Sequence, residues 1–220
     1  MSREVRGLFD DPRIVVLGDA VSDTAVTTLS EREAAAIPRA LDKRRREYAT
    51  GRALAREALD RFFEVRGFDL LNDDDRAPVW PESIAGTLSH CDTYAWVALV
   101  ESSWGTIGID GEHRRELKRD LWRPTMLPSE IEALDTLDPE IRGRRALALF
   151  SAKEALYKAQ YPRSREYMGF MALHVALDEE HLTCTFQQDV GPFPKGFVAR
   201  GRWTVTDSGE VLTGVWIPAD

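Results

Sequence analysis

The 220-residue sequence predicts a mixed α/β (α+β) fold, and three observations carry that prediction. Strand-like alternation recurs in "YAWVALV", "GTIGID", "HLTCTF" and "EVLTGVWIP". Two long stretches, one near 41–65 and one from about 139 to Pro162, repeat apolar residues at helical spacing instead. The order strand, helices, strands then occurs twice, a weak duplication of architecture with no repeat in the residues themselves.

Taken in order, "RIVVL" reads as the first strand. Ser30 and Glu33 in "SERE" form a capping box that starts a short helix, which Pro38 interrupts. A long helix is expected from Leu41 to Val65, with Leu41, Tyr48, Ala55, Leu59, Phe62 and Phe63 buried and Gly67 near its end. After the turn-rich "NDDDRAPVWPES", a meander follows: Thr87–His90 rises, "CDT" turns, "YAWVALV" descends, "ESSWG" turns and Thr106–Asp110 rises again. Two reversals make the third strand parallel to the first, so His90 and Asp110 are expected at the same sheet edge. Two more helices follow, the second capped by Asp138 with Pro139 in its first turn and ending near Pro162. The remainder alternates like strands joined by turns at "DEE" and "DSGE".

Composition bounds what the chain does. With 43% hydrophobic and 30% charged residues and no low-complexity tract, it has the makings of a packed core. No uncharged apolar run reaches the roughly 18 residues of a membrane span, and "MSREVRGLFDD" is charged where a secretory signal needs an apolar stretch. Cys91 and Cys184 are too few for a disulfide framework and lack metal-ligand spacing, so a cytoplasmic location is expected. A net charge of −8 argues against general nucleic-acid binding and makes local basic clusters informative.

Two such clusters stand out. The first long helix carries "KRRR" at 43–46 and then Arg52 and Arg56; Arg45, Arg52 and Arg56 share one face and Arg44 lies on a neighbouring line. A solvated basic face and an anion site both fit this pattern, the latter because guanidinium forks match phosphate oxygens. The second lies in "FSAKEALYK", where Lys153, Glu154 and Lys158 interrupt a large apolar stripe (Leu149, Phe150, Leu156, Tyr157) and a small one (Ala148, Ala152, Ala155, Ala159). A surface ion pair between Glu154 and Lys158 at i, i+4 explains two of these charges; a site explains all three. In "GTIGIDGE", Asp110 and Glu112 share one face of a strand, and repelling carboxylates are made tolerable by a divalent cation or a neighbouring base. Mg²⁺ suits a few hard oxygens with water or phosphate in the other positions, although acidic strand ends are also ordinary loop polarity.

"GIDGE" followed some forty residues later by "FSAKEALYK" resembles the paired signature of the 4′-phosphopantetheinyl transferases of the Sfp/EntD type. "KRRREYATGRALAREAL", "PVWPESIAGTLSHC", "MGF" and "RGRWTV" are also similar to segments of that family, so the resemblance covers most of the chain from about residue 43. It implies two pseudo-symmetric lobes, residues 1–104 and 105–220, each a small mainly antiparallel sheet packed with a long helix, acting as a monomer. It further implies transfer of 4′-phosphopantetheine from coenzyme A to a serine of an apo acyl or peptidyl carrier protein, with Mg²⁺ or Mn²⁺ and release of adenosine 3′,5′-bisphosphate.

Residue by residue, the resemblance implies that Asp110, Glu112 and Glu154 hold the metal and that Glu154 is the base. Lys153 and Lys158 would neutralise the pyrophosphate, while Arg44, Arg52, Ser89 and His90 would lie at the nucleotide end. Lys153, Glu154 and Lys158 are expected to project into the cleft. The alternative is a catalytically degenerate protein that binds coenzyme A or a carrier. Two departures from the family keep that alternative open. Gly111 stands where the family has a larger apolar residue and is expected to loosen the backbone between the acids. The acidic run after Asn72 replaces a basic residue and glycines. "HRRELKRD" at 113–120 reads as a solvated helix, with Arg114, Arg115, Lys118 and Arg119 as the alternative carrier patch.

Overall fold

A computed structural model describes residues 2–113 and 116–219, folded as two antiparallel sheets, each carrying one long helix. The first sheet has the order β1-β2-β4-β3, from β1 (Arg3–Glu4), β2 (Val15–Ala20), β3 (Ile84–His90) and β4 (Tyr94–Glu101). Between β2 and β3 lie the short helix α1 (Glu31–Ala35) and the long helix α2 (Asp42–Phe63). The expected capping box starts α1, with Ser30 accepting from the Glu33 amide and the Glu33 carboxylate accepting from the Ser30 amide. Leu41 is a correction: it is the residue before α2 rather than part of its buried face, and is 81% exposed.

The second sheet runs β5-β9-β8-β7-β6, from β5 (Gly105–Glu112), β6 (Leu173–Leu177), β7 (His181–Phe186), β8 (Val198–Val205) and β9 (Val211–Pro218). The helices α3 (Trp122–Thr125), α4 (Pro128–Asp135) and α5 (Pro139–Ser164) separate β5 from β6. Asp138 caps α5 through the Glu140 amide, and the helix continues past Pro162 to Ser164. The β6–β7 and β8–β9 reversals fall at "DEE" and "DSGE" as expected. The meander is corrected in one respect: β5 leaves the sheet of β3 and β4 and pairs along its whole length with β9.

Three apolar clusters hold this together. Leu54, Ala58 and Leu59 of α2 pack on Leu17, Val97 and Leu99 of the first sheet. Alanines and leucines of α5 pack on Val215, Ile217, Ala199 and Cys184 of the second. The third cluster joins the sheets, with Val16, Trp96 and Ala98 against Ile107, Ile109 and Leu212. "YAWVALV" is therefore apolar almost throughout because alternate residues bury against α2 and against the second sheet. Among the described residues no helix is long and apolar enough to cross a membrane.

Candidate active site

The site begins where β5 passes between α5 and the first sheet. Gly108 faces α5 so closely that a Cβ there would lie 1.8 Å from the Ala155 carbonyl oxygen, and the stripe of small residues on α5 meets the strand at this point. Ser151 Oγ donates to the Asp110 carbonyl at 3.1 Å, fixing helix and strand further. On the opposite face, Gly111 lies under the Trp96 indole, where a Cβ would stand 2.3 Å from Cζ3. Its amide donates to Ser89 Oγ at 3.1 Å. The expected loosening at Gly111 is thus reversed: the missing Cβ makes room for a fully buried tryptophan.

Ser89 on β3 links the two sheets. Its hydroxyl donates to Asp110 Oδ1 at 3.0 Å, and the Ile109 amide donates to Thr87 Oγ1 at 3.3 Å, so side chains of β3 do what a backbone ladder would have done. The C-terminal ends of β3 and β5 do meet, although the strands belong to different sheets. Lys158 of α5 reaches the same point, donating to Asp110 Oδ1 at 2.8 Å, Ile109 O at 3.0 Å and Ser89 Oγ at 3.2 Å. The cation expected to pair with Glu154 on the helix surface is thereby placed on Asp110.

Burial and the Asp110 charge raise the proton affinity of both glutamates. Burial and then the Asp110 charge push the Glu112 carboxyl up to about 7, with Glu154 adding to the shift. Burial and Asp110 also raise Glu154. Asp110 Oδ2 is buried with no hydrogen-bond partner. Among the described residues no group of three or more His, Cys, Asp or Glu side chains is already gathered to hold a metal ion. An orphaned carboxylate oxygen beside two acids short of positive charge fits a hard cation that keeps water or substrate oxygens in its remaining positions.

A basic group adjoins this seam. The His90 ring places Nε2 against Arg44 NH1, an atom that only donates, so the proton of the neutral ring belongs on Nδ1. Nδ1 faces Glu47 Oε2 at 3.5 Å. Burial, then the charges of Arg44 and Lys158, push His90 down to about 4. Arg52 lies deeper: it donates to Leu70 O at 3.1 Å and to Asn72 Oδ1 at 2.7 Å, and its guanidinium stacks on Tyr48. Asn72, at the start of the acidic run, therefore orients Arg52. Arg56 is drawn off to Glu33 and the Thr28 carbonyl, and takes no part.

Lys153 is a correction. Its side chain, expected to project into a cleft, is buried against α4 and is 1% exposed. Its ammonium donates to Glu130 Oε2 at 2.7 Å, Thr125 O at 3.0 Å and Phe170 O at 3.1 Å, which uses all three protons. Glu130 also accepts from the Leu127 and Val175 amides. The lysine is therefore a buried tie between α5, α4 and β6, a role that its place in an apolar stripe announces once Glu130 is known.

Two features went unseen in the sequence. Glu47 is 6% exposed in the midst of "KRRRE", and its positions three and four residues after Arg44 and Lys43 were the available signal. The acidic loop also closes on α5, with Asp73 accepting from Arg165 at 2.7 Å. The expected helix at 113–120 includes Arg114 and Arg115, which lie outside the described residues; of the rest, residues 116–118 are not helical, a 3₁₀ turn covers Arg119–Leu121, and Arg119 pairs with Asp135. Cavities of about 410 Å³ and 690 Å³ are lined by other residues, the first by Phe62, Phe63 and Ile84 and the second by Phe9, Arg200 and Trp216.

Comparison with known proteins identifies the family. The family model "4'-phosphopantetheinyl transferase N-terminal domain" matches residues 32–100, and "4'-phosphopantetheinyl transferase superfamily" matches residues 106–200. The 4'-phosphopantetheinyl transferase Svp of Streptomyces mobaraensis is 34% identical over 205 residues, covering 90% of this chain and 82% of Svp. PptT of Mycobacterium tuberculosis is 30% identical over 218 residues, covering 94% and 93%. Enterobactin synthase component D of Escherichia coli is 36% identical over 122 residues, covering 53% and 55%.

The chain belongs to the 4′-phosphopantetheinyl transferase family, in its Sfp/EntD-type group. It is an enzyme that transfers the phosphopantetheine group to carrier proteins, and the family draws that group from coenzyme A.

Proposed function

We propose that the seam between residues 1–104 and 105–220 is the catalytic cleft, with Asp110, Glu112 and Glu154 holding Mg²⁺ or Mn²⁺ on the coenzyme A pyrophosphate. The observation that carries this reading is Lys158, whose ammonium bonds Ser89 of one sheet and Asp110 of the other while Asp110 Oδ2 is left without a partner. When bound, the cation supplies charge neutralisation to the phosphoryl oxygens. Arg44, Arg52, Ser89 and His90 form the nucleotide end, and Lys158 steadies the charge that develops on the leaving adenosine 3′,5′-bisphosphate. Glu154, its proton affinity raised by burial, accepts the proton of the attacking serine hydroxyl, directly or through water.

On this reading the protein works as a monomer in the cytoplasm, since one chain supplies both halves of the cleft and its two cysteines are unpaired. Its partners are apo acyl or peptidyl carrier proteins, not nucleic acid or membrane, in keeping with the acidic net charge. Gly111 and the acidic loop, the two features that favoured a non-catalytic binder, have packing explanations in Trp96 and in the Asn72–Arg52 and Asp73–Arg165 contacts. The test is incubation with coenzyme A, Mg²⁺ and a panel of apo carriers, read by mass. Transfer that needs the metal and collapses in Glu154→Gln supports the assignment; full transfer by that variant, or with chelator present, overturns it.

A further inference from the structure

A buried acid within an anion-receiving cluster needs a reason. Glu47 is 6% exposed, whereas its neighbours Lys43 and Arg44 are more than half exposed. Its Oε1 lies 3.9 Å from Lys43 Nζ, and its Oε2 lies 3.7 Å from Arg44 NH1 and 3.5 Å from His90 Nδ1. One carboxylate therefore faces three groups of opposite or potentially opposite charge, two on α2 and one at the end of β3.

We infer that Glu47 is a positioning residue for phosphate-monoester recognition: it holds Arg44 and His90 in register and faces the His90 Nδ1 proton, while Nε2 accepts from Arg44. The inference rests on the reading of Arg44 and His90 as the nucleotide end of the cleft. The groups facing His90 are Arg44, Arg52 and Glu47 from α2, Lys158 from α5 and Asp110 from β5. Glu47 faces the proton on Nδ1 and holds the ring beside Arg44. Glu47 therefore acts on the groups that receive the 3′-phosphate, and its effect is expected only for a ligand that carries one.

The experiment compares coenzyme A with 3′-dephospho-coenzyme A in binding to the intact protein and to Glu47→Gln. The expected result is that the wild type prefers coenzyme A, and that Glu47→Gln loses about tenfold in affinity for it with little change for the dephospho form. Equal weakening for both ligands, or an unchanged preference, overturns the role of Glu47 and leaves the site reading intact. A wild type that holds both ligands equally overturns the site reading and this inference with it. If Glu47→Gln does not fold, Glu47→Asp decides: its shorter side chain withdraws the carboxylate from Arg44 and His90, so the preference for coenzyme A is expected to fall severalfold, and an unchanged preference overturns the proposal.

Discussion

Trp96 and Gly111 share one space: the indole is fully buried, and a Cβ on the glycine would stand 2.3 Å from its Cζ3. A second glycine, Gly18, faces the other end of the same ring, with a hypothetical Cβ 2.7 Å from Cδ1. The tryptophan is thus the spacer between the two sheets, and the strand carrying Asp110 and Glu112 is pressed against it. A larger residue between the two acids requires a smaller one at position 96.

Gly111→Val is expected to destabilise the protein by about 1–3 kcal/mol through overpacking and to lower transfer, because Ser89 and Asp110 are displaced together. Combining it with Trp96→Leu should restore part of the lost stability. Denaturant unfolding of the two single variants and the double variant measures this, and additive losses in the double variant would refute the shared-space account.

Lys153→Met removes the partner of a fully buried carboxylate, and the cost is expected at about 3–5 kcal/mol. Lys153→Met with Glu130→Leu should regain most of it, since both charges are then gone. A Lys153→Met protein that unfolds at the wild-type temperature yet fails to transfer would return the lysine to the catalytic set.

The sequence made legible what depends on local pattern. The capping box at Ser30, the turns at 178–180 and 207–210 and the start of α5 at Asp138 are set by neighbours a few residues away. The nearness of the ends of β3 and β5 was also legible, because two reversals fix direction whichever sheet β5 joins. Partners distant in the chain were not. Glu130 lies 23 residues from Lys153, Trp96 lies 15 from Gly111 and Arg165 lies 92 from Asp73, and no local spacing announces such pairs. Lys153 and Lys158 look alike in "FSAKEALYK"; their opposite fates follow from the helix turning one toward α4 and the other toward β3.

His90 is expected to titrate near 4 in the free protein, well below its ordinary 6.5, because burial and the Arg44 and Lys158 charges disfavour the imidazolium. The unfolded chain therefore binds a proton more readily at this residue. Its contribution to stability is fully present above pH 6.5 and is lost as pH falls toward 4, where the folded ring also protonates. Imidazole chemical shifts followed against pH give the folded value directly. A midpoint at or above 6.5 contradicts the burial and charge account.

Divalent cation should act on the fold as well as on the reaction. With Asp110 Oδ2 unpartnered and both glutamates raised by burial and by Asp110, the three acids are under mutual repulsion that a bound ion relieves. Mg²⁺ at one hundred times its dissociation constant is expected to stabilise the protein by about 2.7 kcal/mol, and a chelator should reverse the gain. Asp110→Asn should abolish the response while leaving the metal-free protein no more than slightly weakened, since losing one charge also eases Glu112 and Glu154. Unfolding temperature measured with and without Mg²⁺ for the two proteins decides the matter: an equal rise in both places the ion elsewhere.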